Sequence, residues 1–414
     1  MSKKEMKPME IMANAFSPVI KEHMEGVYSA TLPIAGMVWI ETGNGAVLID
    51  TLLNVAAAEK IVSHIKEPVK YIIYTHGHAD HVGGTKAFIK DNPTILANIF
   101  LPDRFDRYRF LQPYRNLISA MQFNIPLKAF GESLKSYIYP TETFSNDYTF
   151  KLGDKTFECH SARAETDDTV WVYIPEINTA CIGDLMIGTM FPNVGNPWKP
   201  TRFALDWAKE LEKIRTLAPE YIFCNGGGYV FKGESVFEAL DANIEVIRSL
   251  HDQVVKYINE NVHISEMIHK VKVPDHLKNS KYLNQLYSRP EFFVFNLYRW
   301  YHGYYDHNPA HLIPRPEKEV MGEIFELIGD SDTILQRSKA LLKQGNPQLA
   351  LEVLDILLQA KPENIDAIEL KMEILKALVK DDYCLMSRNA YLFHINQDKK
   401  KIRELLRKKS ITPP

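Results

Sequence analysis

Tyr71-Ile72-Ile73-Tyr74-Thr75-His76-Gly77-His78-Ala79-Asp80-His81-Val82-Gly83-Gly84 decides the reading of this chain. Tyr71 to Thr75 is apolar, β-branched and aromatic, the composition of a buried strand. It runs straight into three histidines and an aspartate within six residues. In extended backbone, alternate positions face the same way, so His76 and His78 present their imidazoles to one ion. Asp80 and His81 follow where the chain turns, and can face a second ion from the other side. Gly77, Gly83 and Gly84 permit tight backbone around such a cluster. Four ligand-type residues at this spacing rarely coincide as ordinary surface or core side chains, so the stretch is read as a metal site at a strand end.

Upstream, Val27 to Ala30 and Gly36 to Thr42 alternate apolar and polar residues, and Gly43-Asn44-Gly45 leads into Ala46-Val47-Leu48-Ile49-Asp50, a hairpin meander. Ala56 to Ile65 has helical periodicity, and Pro68 ends it. Downstream, Thr85 to Lys90 reads as a short helix. Residues 99 to 130 mix Phe100, Phe105, Tyr108, Phe110, Tyr114 and Phe123 with Arg104, Arg107, Arg109 and Arg115, a pattern open to two readings, a lid over the site or packing against the core. Thr169 to Ile174 and Thr179 to Ile182 are strands, Leu205 to Leu217 a helix, and Tyr221 to Cys224 a last short strand. From about residue 233 long helical patterns take over, beginning with Val236 to Val262. Residues 340 to 379 carry the spacing of one tetratricopeptide-type hairpin, too little for a solenoid and in need of a partner surface.

The spacing His-x-His-x-Asp-His resembles the signature of the metallo-β-lactamase superfamily. Ala164-Glu165-Thr166-Asp167-Asp168, Val194-Gly195-Asn196-Pro197 and Trp300 to His311 extend the resemblance to its alkyl sulfatase-like branch. That resemblance implies an α+β fold, an αββα metallo-β-lactamase sandwich in residues 1–235, followed by an all-α dimerisation domain with a tetratricopeptide-like hairpin in residues 236–414. It also implies a homodimer. It places glutamate, at Glu165, where most of the superfamily has a third histidine, and the bridging carboxylate at Asp184, after the apolar Cys181-Ile182-Gly183. The expected metal ligands are therefore His76, His78, Asp80, His81, Glu165 and Asp184, with Asp80 and Asp184 catalytic. Arg202, before the helix that holds Trp207, corresponds to an arginine that helps hold sulfate in alkyl sulfatases; a surface ion pair is the other reading. Relatives carry a histidine where this chain has Gly226, so the second ion is expected to be held more weakly than the first. His160, His302, His307 and His311 are read as structural rather than as its replacement.

Two ions about 3.5 to 4 Å apart acidify a shared water, so the expected chemistry is hydrolysis by a metal-bound hydroxide of an anionic ester, a sulfate ester among them. Imidazole and carboxylate donors suit zinc, with manganese or iron as other occupants. Rival readings are a thioesterase, lactonase or phosphodiesterase in the same fold, and a binding or scaffold protein with a degraded centre.

With 414 residues, 45% hydrophobic and 24% charged, the chain can bury a large core. A net charge of -3 offers no general attraction to nucleic acid or to an anionic membrane, and the basic run from Lys399 to Lys409 reads as a solvated helix end. Cys159, Cys181, Cys224 and Cys384 lack Cys-x-x-Cys spacing. Together with an N-terminus that has no hydrophobic run of signal-peptide length, they point to the cytoplasm.

Overall fold

Alternation of buried side chains along single strands builds this fold. In β3 (Ala35–Glu41), Met37 and Trp39 enter one hydrophobic cluster while Val38 and Ile40 enter another, so the sheet is covered on both faces. The computed structural model describes residues 17–127, 137–224 and 228–411. Strands β1 (Val19–Met24), β2 (Val27–Leu32), β3, β4 (Ala46–Ile49), β5 (Val69–Ile73), β6 (Thr94–Asn98) and β7 (Glu142–Phe144) form a sheet in sequence order. The second sheet is ordered β13-β12-β11-β10-β9-β8, from β8 (Asp147–Leu152), β9 (Lys155–Ala162), β10 (Thr169–Ile174), β11 (Thr179–Gly183), β12 (Tyr221–Cys224) and β13 (Tyr229–Lys232).

The sheets share the cluster of Val38, Ile40, Ile49, Ile73 and Leu96 with Phe157, Cys159, Val170, Val172 and Phe223. Helix α1 (Val55–Val62), capped by Asn54 accepting from the Ala57 N–H at 2.9 Å, packs on the outer face of the first sheet. Helices α2 (Ala79–Val82), α3 (Leu101–Phe110) and α4 (Gln112–Phe123) follow the metal-site stretch. Helices α5 (Ala204–Leu217), α6 (Glu234–Asn259), α7 (Ile264–Lys270) and α8 (Pro290–Tyr301) cover the outer face of the second sheet with Trp207, Leu211, Val246, Leu250 and Phe293. This is the αββα sandwich the resemblance implies.

Several sequence expectations shift. Residues 85–91 form the short 3-10 turns Thr85–Ala87 and Ile89–Asp91 rather than one helix. The aromatics of 99–123 divide: Phe105 and Tyr108 are buried, whereas Phe100, Phe110 and Tyr114 are at least half exposed.

By compactness the chain divides into a unit reaching Asn116 and resuming at Leu127–His302, and a unit of Leu117–Pro126 with Gly303 onward. That is a different cut from the 235/236 boundary expected from the family. The second unit holds α9 (Pro309–Leu312), α10 (Glu317–Ile328), α11 (Ser331–Lys343), α12 (Pro347–Ala360), α13 (Ile365–Asp381) and α14 (Leu385–Ile411). Phe325, Leu335, Leu354, Leu357, Leu370 and Ile374 make its core. Within it the Asn389 side-chain amide donates to the Gln122 carbonyl at 2.9 Å.

Candidate metal centre

Parallel pairing of β4 with β5 sets Ile49 beside Ile73, so the chain leaves both strands at the same edge. Asp50 follows β4 in left-handed backbone (φ 62) and is fully buried. Its Oδ1 accepts the Thr75 N–H and its Oδ2 the Thr75 hydroxyl, each at 2.8 Å, while Oδ2 also lies 2.6 Å from His81 Nδ1. The Thr75 carbonyl accepts the Val170 N–H of β10 at 2.7 Å, tying the loop to the second sheet. Three strand ends thus meet: β5 delivers His76 to His81, the turn between β9 and β10 delivers Glu165, and β11 delivers Asp184. Gly183 makes the last possible by turning at φ 52, where a Cβ would press to 2.7 Å from Thr75.

Donor atoms of His76, His78, Glu165 and Asp184 all fall within 4.8 Å of one another. Glu165 Oε2 sits 3.3 Å from His76 Nε2 and 3.2 Å from His78 Nδ1. Such separations match the edge of a tetrahedron, roughly 3.3 Å for metal–ligand bonds of about 2 Å. His81 Nε2 is 3.4 Å from Asp184 Oδ1 and 3.6 Å from Asp80 Oδ2. The strongest sign of fit is that Glu165 Oε2, His81 Nε2 and Asp184 Oδ1 are buried without a hydrogen-bond partner. Orphaned atoms of this kind are costly unless a cation meets them. The residues present therefore suit a metal centre. All six ligands expected from the sequence lie together; Asn225 and Gly226, which bear on the second ion, fall outside the described residues.

Charge states follow from the surroundings. Burial, with the neighbouring His76, pushes the His78 imidazole well below its ordinary range and keeps it neutral, as a ligand must be. Burial works against the Glu165 carboxylate, but Arg202 and then His78 hold it well below the usual carboxylate range. Burial also opposes a charged His81, yet Asp50, Asp184 and Asp80 raise it well above the usual imidazole range.

Arg202 is buried, and its Nη1 donates to Glu165 Oε1 and, at 2.5 Å, to the Asn193 carbonyl. The Asn193 amide donates to the same Oε1 at 2.8 Å. Asn296 of α8 fixes the Arg202 backbone, accepting its N–H at 2.9 Å and donating to its carbonyl at 3.0 Å. On the opposite flank Arg104 of α3 pairs with Asp167 and, at 2.7 Å, with Asp168, whose other oxygen accepts the Gly77 N–H at 2.9 Å.

Sequence reasoning gave no site role to Asp50, Asn193, Arg104 or Asp168, although Asp50 ends the strand before the metal strand, Arg104 lies in the stretch open to a lid reading and Asp168 closes the motif that carries Glu165. His160 stacks on Trp171 with ring centroids 4.0 Å apart and bonds Asp147, and His302 stacks on Tyr298 at 4.4 Å. His311 pairs with Asp306 at 2.6 Å, and His307 lies against the Tyr305 ring.

Residues 35–226 match the metallo-beta-lactamase superfamily, and residues 263–400 match the alkyl sulfatase dimerisation family. A linear primary-alkylsulfatase from a Pseudomonas species is 24% identical over 380 residues, covering 85% of this chain and 72% of its own. An alkyl/aryl-sulfatase of Saccharomyces cerevisiae is 23% identical, covering 87% of this chain; this chain spans 60% of that relative's length. Among solved structures, a stereoselective inverting sec-alkylsulfatase from Pseudomonas superposes with a TM-score of 0.82 at 22% identity, over 92% of this chain and 66% of that one.

Proposed function

The chain belongs to the metallo-beta-lactamase superfamily, in its alkyl sulfatase-like branch, and on that premise we propose that it is a metal-dependent hydrolase of sulfate esters. The observation that carries the reading is the convergence of orphaned, buried donor atoms from three strand ends. His76, His78 and Glu165 would hold one ion and Asp80 and His81 the other, with Asp184 shared. Imidazole and carboxylate donors favour zinc, ahead of manganese and iron. When bound, the ions supply Lewis acidity and a water acidified toward neutrality.

The chain's own residues supply the rest. Asp50 fixes the His81 tautomer, so that Nε2 faces the centre. Asp80, whose side chain is 30% exposed against 9% for Asp184, is the carboxylate that reaches arriving solvent; we assign it to orient the attacking water and accept its proton. Asp184, more enclosed, holds the two halves of the centre in register. An anionic substrate also needs cations; Arg202, to which the resemblance gives that role, is buried and engaged with Glu165.

We assign residues 1–235 to the hydrolase domain and 236–414 to self-association as a homodimer, with α11 to α13 read as the tetratricopeptide-like element. No described helix is long and apolar enough to cross a membrane. The free, buried cysteines support a reducing compartment, the cytoplasm.

The deciding assay is a substrate panel on the purified full chain: a medium-chain alkyl sulfate, a carboxylic ester, a thioester, a lactone and a phosphodiester. Turnover of the alkyl sulfate, abolished by chelation and restored by zinc, is the expected result. Preference for another bond would move the assignment to a different hydrolase of this fold, and inertness toward the whole panel with metal bound would favour the scaffold reading. A monomer in sedimentation at micromolar concentration would remove the dimer.

A further inference from the structure

The connection from β11 to α5, residues 184–203, forms no helix or strand of its own. It nevertheless carries both side chains that bond Glu165 Oε1, the Asn193 amide and the Arg202 guanidinium. The Phe203 N–H donates to the Ala164 carbonyl at 3.1 Å, so the same connection also holds the backbone beside the ligand. Its course must be fixed from outside, because its backbone groups have no ladder or helix to satisfy them.

That support comes from residues 284–299, the approach to α8 and most of α8 itself. The Asn284 N–H and side-chain amide each donate to the Thr189 carbonyl at 3.0 Å, and the Phe191 N–H donates to the Asn284 carbonyl at 2.9 Å. The buried Ser288 hydroxyl donates to the Gly195 carbonyl at 3.0 Å. Gly195 approaches the first turn of α8 so closely that a Cβ there would come to 1.9 Å from the Phe292 carbonyl oxygen. Asn296 then meets both backbone groups of Arg202, at 2.9 and 3.0 Å. Arg299 closes the series on the Lys199 carbonyl at 3.0 Å and the Thr201 hydroxyl at 3.2 Å. Asn296 is 3% exposed and Arg202 2%, so removing that amide would leave the N–H and carbonyl of Arg202 buried without partners.

The two segments belong to different family matches. Glu165 and the connection fall within the metallo-beta-lactamase superfamily match, whereas residues 284–299 fall within the alkyl sulfatase dimerisation match. By compactness, however, residues 284–299 belong with the sheets.

We propose that residues 284–299 are a working part of the metal centre, and that Asn296 is a positioning residue acting on Glu165 through Arg202. The inference rests on the metal-dependent reading above and deepens it: the helical region does more than associate with a second copy. If Asn296 aims Arg202, and Arg202 with Asn193 aims the carboxylate, then ion binding and the order of residues 284–299 are linked. Linkage is reciprocal. Whatever these residues add to ion affinity, a bound ion returns to them as stability.

The test uses the full chain, freed of metal and titrated with zinc against a chromophoric chelator, alongside amide hydrogen exchange with and without zinc. Asn296→Leu removes donor and acceptor at nearly constant volume and should weaken zinc binding about tenfold, the lower end of what loss of an outer partner costs. Asn243→Leu is the control, since it removes a buried amide bonded within its own helix to the Ala239 carbonyl at 2.8 Å. It should lower thermal stability with zinc affinity unchanged. In the wild type, zinc should slow exchange across 284–302 several-fold, and in Asn296→Leu that protection should vanish while protection of 76–81 persists. The wild-type exchange measurement needs no substitution, so it decides the matter even where Asn296→Leu fails to fold. Zinc-independent exchange across 284–302, or a loss of affinity in Asn296→Leu no greater than in Asn243→Leu, overturns the inference. A chain that shows the coupling yet leaves hexyl sulfate uncut supports it and refutes the sulfatase reading. A chain that cuts hexyl sulfate without the coupling does the reverse, and a wild type that binds no metal removes both.

Discussion

The halves of the candidate metal centre are supported by opposite charges. Behind Glu165 stand donors, the Arg202 guanidinium and the Asn193 amide. Behind His81 stands an acceptor, the Asp50 carboxylate, itself fixed by the Thr75 N–H and hydroxyl. The contrast follows from the ligands. A buried carboxylate costs several kcal/mol unless matched by donors, whereas a neutral imidazole needs an acceptor on its remote nitrogen to fix tautomer and ring orientation. A carboxylate rather than an imidazole on one side therefore demands a different set of supporting residues there, and Arg202 is the centre of it.

The largest effect expected is at the ligand itself. His78→Ala should leave well under one ion per chain in the first half, read by elemental analysis; unchanged metal content would remove His78 from the ligand set. Next comes Arg202→Met, which leaves Glu165 as an uncompensated buried charge. Denaturant unfolding of the metal-free chain should show a loss of about 3 to 5 kcal/mol. A metal-free stability equal to wild type would erase the contrast between the halves. Smallest is Asp50→Asn, which keeps the shape but weakens the acceptor on His81 Nδ1. Metal affinity in that half should fall on the order of 10- to 100-fold in competition with a chelator, with the other half retained. An equal fall in both would show that the halves share their support.

These supporting residues also mark how far the sequence could be read. His76, His78, Asp80 and His81 sit within one turn of chain, so their cooperation is visible in spacing alone. Glu165 and Asp184 needed the family resemblance, because a carboxylate after a strand is also an ordinary loop residue or helix cap. Asp50 reaches His81 only because β4 and β5 pair in parallel with Ile49 beside Ile73, and Asn193 reaches Glu165 only because the loop after β11 folds back. Neither pairing leaves a periodicity in the sequence. The sequence leaves Arg202 open between holding sulfate and a surface ion pair, since Trp207 fixes the helix but not the direction in which the guanidinium points, and the structure shows a buried pair with Glu165. On the fold, the alternating strands of residues 26–53 and the long helix beginning near 236 were legible. The strand Thr94–Asn98 was not read, although Asp91-Asn92-Pro93 marks a turn before it, because its apolar run is only Ile95-Leu96-Ala97.

Gly77 lies between His76 and His78, and the first atom of any side chain there would come to 2.8 Å from Arg104 Cδ, 3.1 Å from Asp168 Oδ2 and 3.2 Å from Phe105 Cε1. Positions 77, 104 and 168, far apart in the chain, thus form one heritable unit. In any lineage descended from this sequence, a larger residue at 77 needs Arg104, Asp168 and Phe105 all to give way, and a shortened Arg104 leaves buried Asp168 without its cation. Each order of mutation passes through a damaged intermediate, so the three should drift together or not at all.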